Sequence, residues 1–208
     1  MKNARFLLLL VSLAIVTGCS PEDQRAADTG TGTASMPTSG TMPKSGERTG
    51  GWAYKSTEHD FSLDFPSARW KQKMKKRFIA EFWSPSSTGS PMLVAVTSVK
   101  RQTREQFKTS IPQFKADVEK GGDYLLKPTF QDGQTDSGNP YVHASLCEKG
   151  NSGSQFIYVA TATVWLADKG VTVTTVFEGQ GQMRSKVFKA IEYAEFESAA
   201  KSICLSPR

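Results

Sequence analysis

Cysteine and histidine are the side chains in this sequence best suited to nucleophilic or metal chemistry, and there are few of them. The chain has three cysteines, Cys19, Cys147 and Cys204, and two histidines, His59 and His143. None of them forms a metal-binding motif, and the sequence has no Gly-x-Ser-x-Gly elbow and no phosphate-binding loop. We therefore predict no metal, no cofactor and no catalytic residue. A hydrolase site assembled from serine or aspartate residues on distant strands stays open as an alternative.

The remaining chemical candidates have simpler structural interpretations. His143 falls in a predicted strand, where a hydrogen-bonded histidine is commoner than a general base, and His59 falls in a predicted turn. The stretch "GQGQMR", residues 179–184, has two glycines but lacks the third glycine of a dinucleotide-binding fingerprint. We predict that it is a loop after a strand.

The residues before Cys19 are typical of an export signal. Lys2 and Arg5 precede an apolar run, residues 6–16, that only Ser12 interrupts. This run is too short to span a bilayer, because a spanning helix needs about 20 apolar residues.

The sequence Val16-Thr17-Gly18-Cys19 resembles the lipobox of bacterial lipoprotein precursors. The resemblance implies that the signal is cut before Cys19, that its sulfur carries a diacylglycerol and that the new amino terminus is acylated, for instance by palmitate. Two or more acyl chains hold a protein stably on a bilayer. Ser20 stands where an aspartate tends to retain lipoproteins in the inner membrane, so we expect the periplasmic face of the outer membrane if the source is Gram-negative.

The composition after the anchor predicts a tether followed by one folded domain. Gly, Ser, Thr and Pro fill 19 of the 32 positions from 20 to 51, which predicts a disordered coil with an r.m.s. reach of about 30 Å. We divide the chain into a signal peptide (1–18), a lipidated tether (19–51) and a single domain (52–208). The mature chain carries 24 basic and 20 acidic residues, which is too mild a surplus to predict nucleic-acid binding.

Cys147 and Cys204 are the two cysteines left after lipidation. In an oxidising compartment we expect a disulfide between them that fixes the last helix to the sheet. The alternative is two free, buried thiols.

The strongest charge feature is "RWKQKMKKR", residues 69–77. Its cations are a candidate patch for anionic head groups, lipopolysaccharide phosphates or an acidic partner protein. The structural alternative is a solvated hairpin whose lysines prevent edge pairing. The candidate patch consists of Lys71, Lys73, Lys75, Lys76 and Arg77.

The domain itself has the pattern of antiparallel strands with two helices. Alternating runs such as "FSLDF" (61–65) and "FIAEFW" (78–83) predict strands, and "FIYVATATVWL" joined through "ADKG" to "VTVTTVF" predicts a central hairpin. Thr103 and Gln106 form a predicted capping box for the first helix, in which Pro112 should cause a kink or a restart at Ser110. The apolar register of the second helical stretch, residues 184–205, shifts and predicts a break near Tyr193.

This order predicts an α+β fold with an antiparallel β-sheet flanked by helices. Together with "HDFSLDFPSARW" and "FESAAKSI", it resembles the PsbP-like superfamily and its DcrB-like bacterial lipoproteins over residues 52–206. The resemblance implies a PsbP-like α/β/α sandwich and a binding or assembly-accessory role without a shared active site.

We therefore expect a membrane-anchored envelope lipoprotein that binds a protein partner and is not an enzyme. One alternative is a periplasmic immunity lipoprotein that blocks a toxin, and the other is the hydrolase with a scattered site.

Overall fold

Two helices and ten strands form the part of the chain that the computed structural model describes, which is residues 50–73, 78–120, 124–150, 154–184, 187–188 and 190–208. The predicted α+β class with an antiparallel sheet is confirmed. In chain order the elements are β1 (Trp52–Ser56), β2 (Phe61–Phe65), β3 (Lys71–Gln72), β4 (Ala80–Pro85), β5 (Pro91–Arg101), α1 (Arg104–Glu119), β6 (Tyr124–Gln134), β7 (Pro140–Lys149), β8 (Gln155–Leu166), β9 (Val171–Arg184), β10 (Val187–Phe188) and α2 (Ala190–Cys204).

The strands form one large sheet and one hairpin. The large sheet has the order β3-β4-β5-β9-β8-β7-β6, with β10 beside β9, and the hairpin consists of β1 and β2. All pairs are antiparallel. The predicted β8–β9 hairpin lies at the centre of this order, and its turn uses Gly170 at a φ of +61°. Such a positive φ is accessible to glycine without steric cost.

One face of the sheet carries the main core. Even-numbered residues of β8 and odd-numbered residues of β9 point to this face, where α2 and the β1–β2 hairpin cover them. Phe196 of α2 packs so close to β9 that a Cβ at Gly179 would lie 2.7 Å from its ring, and a Cβ at Gly181 would lie 2.3 Å from Phe156. The prediction that residues 179–184 form a loop is therefore wrong, because they are the end of β9 and the two glycines make room for these rings.

The opposite face carries a smaller cluster under α1. Val118 of α1 packs there with Ala144 and Leu146 of β7, Val159 of β8 and Val176 of β9. The predicted capping box of Thr103 and Gln106 is present. The helix is continuous across Pro112, so the predicted restart at Ser110 is wrong.

The helix α2 also differs from its prediction. It runs without interruption from Ala190 to Cys204, and the preceding residues Val187 and Phe188 form β10 instead. The shift in apolar register therefore marks a change from strand to helix before residue 190, and the predicted break near Tyr193 is wrong.

No helix in the described ranges is both long enough and apolar enough to cross a membrane.

The predicted disulfide between Cys147 and Cys204 is wrong, because both are free, buried thiols. Cys204 lies beside Thr175, whose hydroxyl donates to the Cys204 carbonyl oxygen at 3.4 Å. Thr175 pairs with Ala162 of β8, whereas Cys147 pairs with Tyr158, four residues away on that strand. Four residues of strand span about 13 Å, and a disulfide needs Cα atoms within about 7 Å of each other.

The end of the chain fastens the β1–β2 hairpin to the rest of the domain. The Ser62 amide donates to the Arg208 carbonyl oxygen at 2.7 Å, and the Arg208 amide donates back to Ser62 at 3.2 Å. Ser206 Oγ accepts a hydrogen bond from the Asp64 amide at 2.8 Å, and the Arg208 guanidinium pairs with the Asp64 carboxylate. Residues 206–208 thus act as a short strap along β2.

Candidate functional site

The cationic segment that the sequence singled out lies at one edge of the large sheet. Lys71 in β3 pairs with Trp83 in β4, and Gln72 pairs with Phe82. Because the strand β3 has only two residues, it forms a short edge of the kind that resists pairing with other chains. Lys75, Lys76 and Arg77 lie outside the described residues, as do Cys19 and Ser20.

An exposed tryptophan accompanies these cations, and it is not the one that the sequence suggested. Trp70, inside the cationic segment, is buried against Phe65 and Phe177. Trp83 is 39% exposed, and the Lys71 Nζ atom lies 5.8 Å from its ring centroid. This distance is within the range of a cation–π contact. Trp83 was predicted as a strand residue, but nothing in the sequence marked it as the exposed aromatic.

The cations of this edge have two different roles. The Lys73 Nζ atom lies 2.7 Å from the Glu81 Oε1 atom, and the carboxylate of Glu81 is almost fully buried. Lys73 also favours the ionised form of buried Glu178, whose pKa is nevertheless raised because burial dominates. Lys73 therefore compensates carboxylates of the fold. Arg69 and Lys71 are exposed, and the described residues provide no carboxylate within ion-pair distance of either.

The two histidines are not brought together. His143 is buried on the α2 face of β7, and its Nε2 atom has no hydrogen-bond partner. Burial, aided by the charge of Lys201 and opposed by Glu197, lowers the pKa of His143 to about 4. His59 lies in the β1–β2 turn, where its Nε2 atom is 3.8 Å from a Glu58 oxygen. The prediction that His143 lies in a strand is correct, but its Nε2 atom lacks the predicted hydrogen bond.

Hydroxyl groups and carboxylates meet where α2 holds the β4–β5 loop. The buried Glu192 carboxylate accepts hydrogen bonds from Thr88 Oγ1 at 2.6 Å, Ser90 Oγ at 3.2 Å and the Gln182 amide at 3.1 Å. The exposed Ser87 hydroxyl donates to Glu195 at 2.6 Å. These contacts tie the polar loop to the helix, and no histidine takes part in them. The Ser–His pair that commonly activates a serine nucleophile is therefore not formed by these residues.

A polar cleft of about 400 Å³ lies at the end of the sheet where the β1–β2 and β8–β9 turns meet. Lys169 bridges the two turns, because its Nζ atom donates to the Asp60 carbonyl oxygen at 3.0 Å. Asp60, which accepts this hydrogen bond, has a left-handed φ of +49°. Glu58, Arg101 and Asp168 also line the cleft. Within the described ranges, no group of three or more histidine, cysteine, aspartate or glutamate side chains could hold a metal ion.

Comparison with solved structures yields weak likenesses, among them those to LpqN and Mog1p. No protein-family model and no curated protein matches the sequence. The chain is similar to the crystal structure of LpqN, described as involved in cell envelope biogenesis of Mycobacterium tuberculosis, with 13% identity, a TM-score of 0.49, and coverage of 76% of this chain and 90% of that one. It is also similar to the Saccharomyces cerevisiae Ran-binding protein Mog1p, with 11% identity, a TM-score of 0.43, and coverage of 77% and 96%.

Neither likeness is close enough to transfer a function to this chain. The fold class implied by the PsbP-like resemblance agrees with the architecture described above. Membership of that superfamily stays a prediction.

Proposed function

We propose that this protein is a lipid-anchored envelope protein whose folded domain binds a partner at the membrane surface and catalyses no reaction. The observation that carries the proposal is the sequence around Cys19. There a short basic start, an apolar run too short to span a bilayer and two small residues lead to a single cysteine, and a polar tether follows.

The contacts of the buried polar groups support a binding role. The Glu192 carboxylate accepts hydrogen bonds from Thr88, Ser90 and Gln182, and the Glu81 carboxylate forms an ion pair with Lys73. The His143 side chain is shut away from solvent and its pKa is lowered, so it is neutral at pH 7. These groups lie inside the domain, so its exposed surface is the part that can interact with other molecules.

Comparison of the native protein with a Cys19→Ser variant tests the anchor. We expect the native protein to fractionate with membranes, to begin at Cys19 and to carry the added mass of acyl chains. The variant should appear in the soluble fraction or keep residues 1–18. A native protein with residues 1–18 intact and no lipid mass would refute the proposal.

The Ser20→Asp substitution is a matched second test in a Gram-negative host. It leaves the lipidated cysteine in place, and it should move the protein from the outer-membrane to the inner-membrane fraction. Affinity capture from membranes, with the Cys19→Ser form as the control, then identifies the partner. Recovery of a toxic enzyme would favour the immunity alternative, and turnover of a bond in the captured partner would favour the hydrolase.

A further inference from the structure

The strongest unassigned surface feature is the outward pair of Lys71 and Trp83, with Arg69 two residues before Lys71. Of the four tryptophans in the chain, Trp52 and Trp165 are half-buried, Trp70 is buried and Trp83 alone is exposed. An exposed tryptophan and a lysine that lies over its ring combine an amphipathic aromatic with a positive charge. This combination is enriched where proteins meet the membrane–water interface.

The point at which the predicted tether enters the domain lies at this same edge. Trp52, the first residue of β1, stacks on Phe65 with a centroid distance of 4.8 Å and makes an edge contact with Phe82 at 6.0 Å. Phe82 directly precedes Trp83 in β4 and pairs with Gln72, the neighbour of Lys71. Because successive strand residues point to opposite faces, Trp52 and Phe82 lie on the core face, whereas Lys71 and Trp83 point to the other face at the same edge. The tether therefore enters at this edge, and its reach of about 30 Å allows Lys71 and Trp83 to meet the bilayer.

We propose that the edge formed by Arg69, Lys71 and Trp83 docks on the anionic lipid head groups of the bilayer that carries the anchor. This inference rests on the proposed lipidation of Cys19. The chemistry is complementary, because the two cations have no carboxylate partner among the described residues and the indole ring suits the interface.

The affinity required of this edge is small. A cation near an anionic membrane surface strengthens binding roughly fivefold. Two cations and one indole ring would not hold a free domain on a bilayer. A tether that keeps the domain near the surface makes docking intramolecular, with an effective concentration on the order of millimolar. The anchor keeps the domain near the bilayer, and the contacts of the edge with the head groups orient the domain on it.

The opposite edge of the sheet provides a matched control. Strand β6 carries an exposed apolar residue, Leu126, which is 41% exposed, beside an exposed lysine, Lys127. This pair also combines an exposed apolar side chain with a cation, but at the other edge of the sheet from the entry of the tether. If docking is specific, only the Lys71–Trp83 edge should matter.

The test uses the native, lipidated full-length protein in nanodiscs made with brominated phosphatidylcholine, with or without 30% phosphatidylglycerol. Bromine quenches tryptophan fluorescence only at short range. We expect strong quenching with phosphatidylglycerol, at least threefold less without it, and a loss of most of the quenching in Trp83→Phe. A double variant, Arg69→Gln with Lys71→Gln, should fall to the level without anionic lipid, while Lys127→Gln and Leu126→Ala should match the native protein.

Equal quenching in the double variant and the native protein would overturn the inference, and so would an equal loss in Lys127→Gln. Circular dichroism checks that each variant folds, which is expected because the exchanged side chains are exposed. The intact mass of the reconstituted protein separates the two proposals. A lipidated protein without specific quenching refutes the docking edge alone, whereas a protein without lipid mass refutes the anchor and the docking edge with it.

Discussion

Protonation of His143 should destabilise the domain in acid. The side chain is only 2% exposed, and burial lowers its pKa from 6.5 to about 4. Lys201 on α2 adds to this effect, and Glu197 on the same helix opposes it. Because the folded value lies below the unfolded one, the unfolded chain binds more protons between pH 6.5 and pH 4. Stability is therefore lost as the pH falls through this window.

The size of the effect follows from the two pKa values. At pH 5 the linkage amounts to about 2 kcal/mol, and below pH 4 it approaches about 3 kcal/mol. This is a large share of the 5–15 kcal/mol that is typical for a folded domain.

Urea unfolding followed by circular dichroism, from pH 7.5 to pH 4.5, measures this effect when the native protein is compared with His143→Leu. Leucine cannot be protonated. Relative to His143→Leu, the native protein should therefore lose about 2 kcal/mol of unfolding free energy on going from pH 7.5 to pH 5. Carboxylates titrate in both proteins and cancel in the difference. The variant His59→Gln, in the β1–β2 turn, controls for the removal of a histidine as such. Parallel pH profiles for the native protein and His143→Leu would refute the reasoning.

Three further predictions concern the Glu192 carboxylate, the two cysteines and the C-terminal strap. Glu192→Gln weakens the charge-assisted hydrogen bonds from the β4–β5 loop and should cost about 1–3 kcal/mol in urea unfolding; an unchanged midpoint would contradict the role given to this carboxylate. Cys147 and Cys204, whose pKa values burial raises to about 12, should resist alkylation in the native protein and both react once it is unfolded without reductant. Deletion of residues 206–208 should lower the midpoint and increase hydrogen exchange in β2, and unchanged exchange there would show that the strap is dispensable.

The local pattern of the sequence predicted most of the elements because short-range rules decide them. The turn "ADKG" between two β-branched runs predicted the β8–β9 hairpin, and the capping box of Thr103 and Gln106 predicted the start of α1. Pro112 was a misleading signal. A proline lacks an amide donor, but the helix around it packs through Phe107 and Val118, and this packing outweighs the lost bond.

The errors concern contacts that depend on strand register. Whether Cys147 and Cys204 meet depends on the position along β8 and β9 at which α2 packs. The spacing of the cysteines in the sequence does not determine that position. The glycines at 179 and 181 looked like loop residues because the rings that fill their space, Phe196 and Phe156, come from other elements. In the same way, the exposure of Trp83 and the burial of Trp70 follow from the pairing of β3 with β4.

The two faces of the sheet explain why an edge is the most promising contact surface. On one face α2 and the β1–β2 hairpin cover the strands, and on the other α1 packs mainly on β6 and β7. Near β3 and β4 on that second face, Lys73 forms an ion pair with Glu81, so these two charges pair with each other within the domain. Among the described residues at this edge, the exposed cations without a carboxylate partner are Arg69 and Lys71. Exposed charges contribute little individually, and they orient a domain only when something else holds it near its target. A lipid anchor at Cys19 would do so, which is why the two proposals belong together.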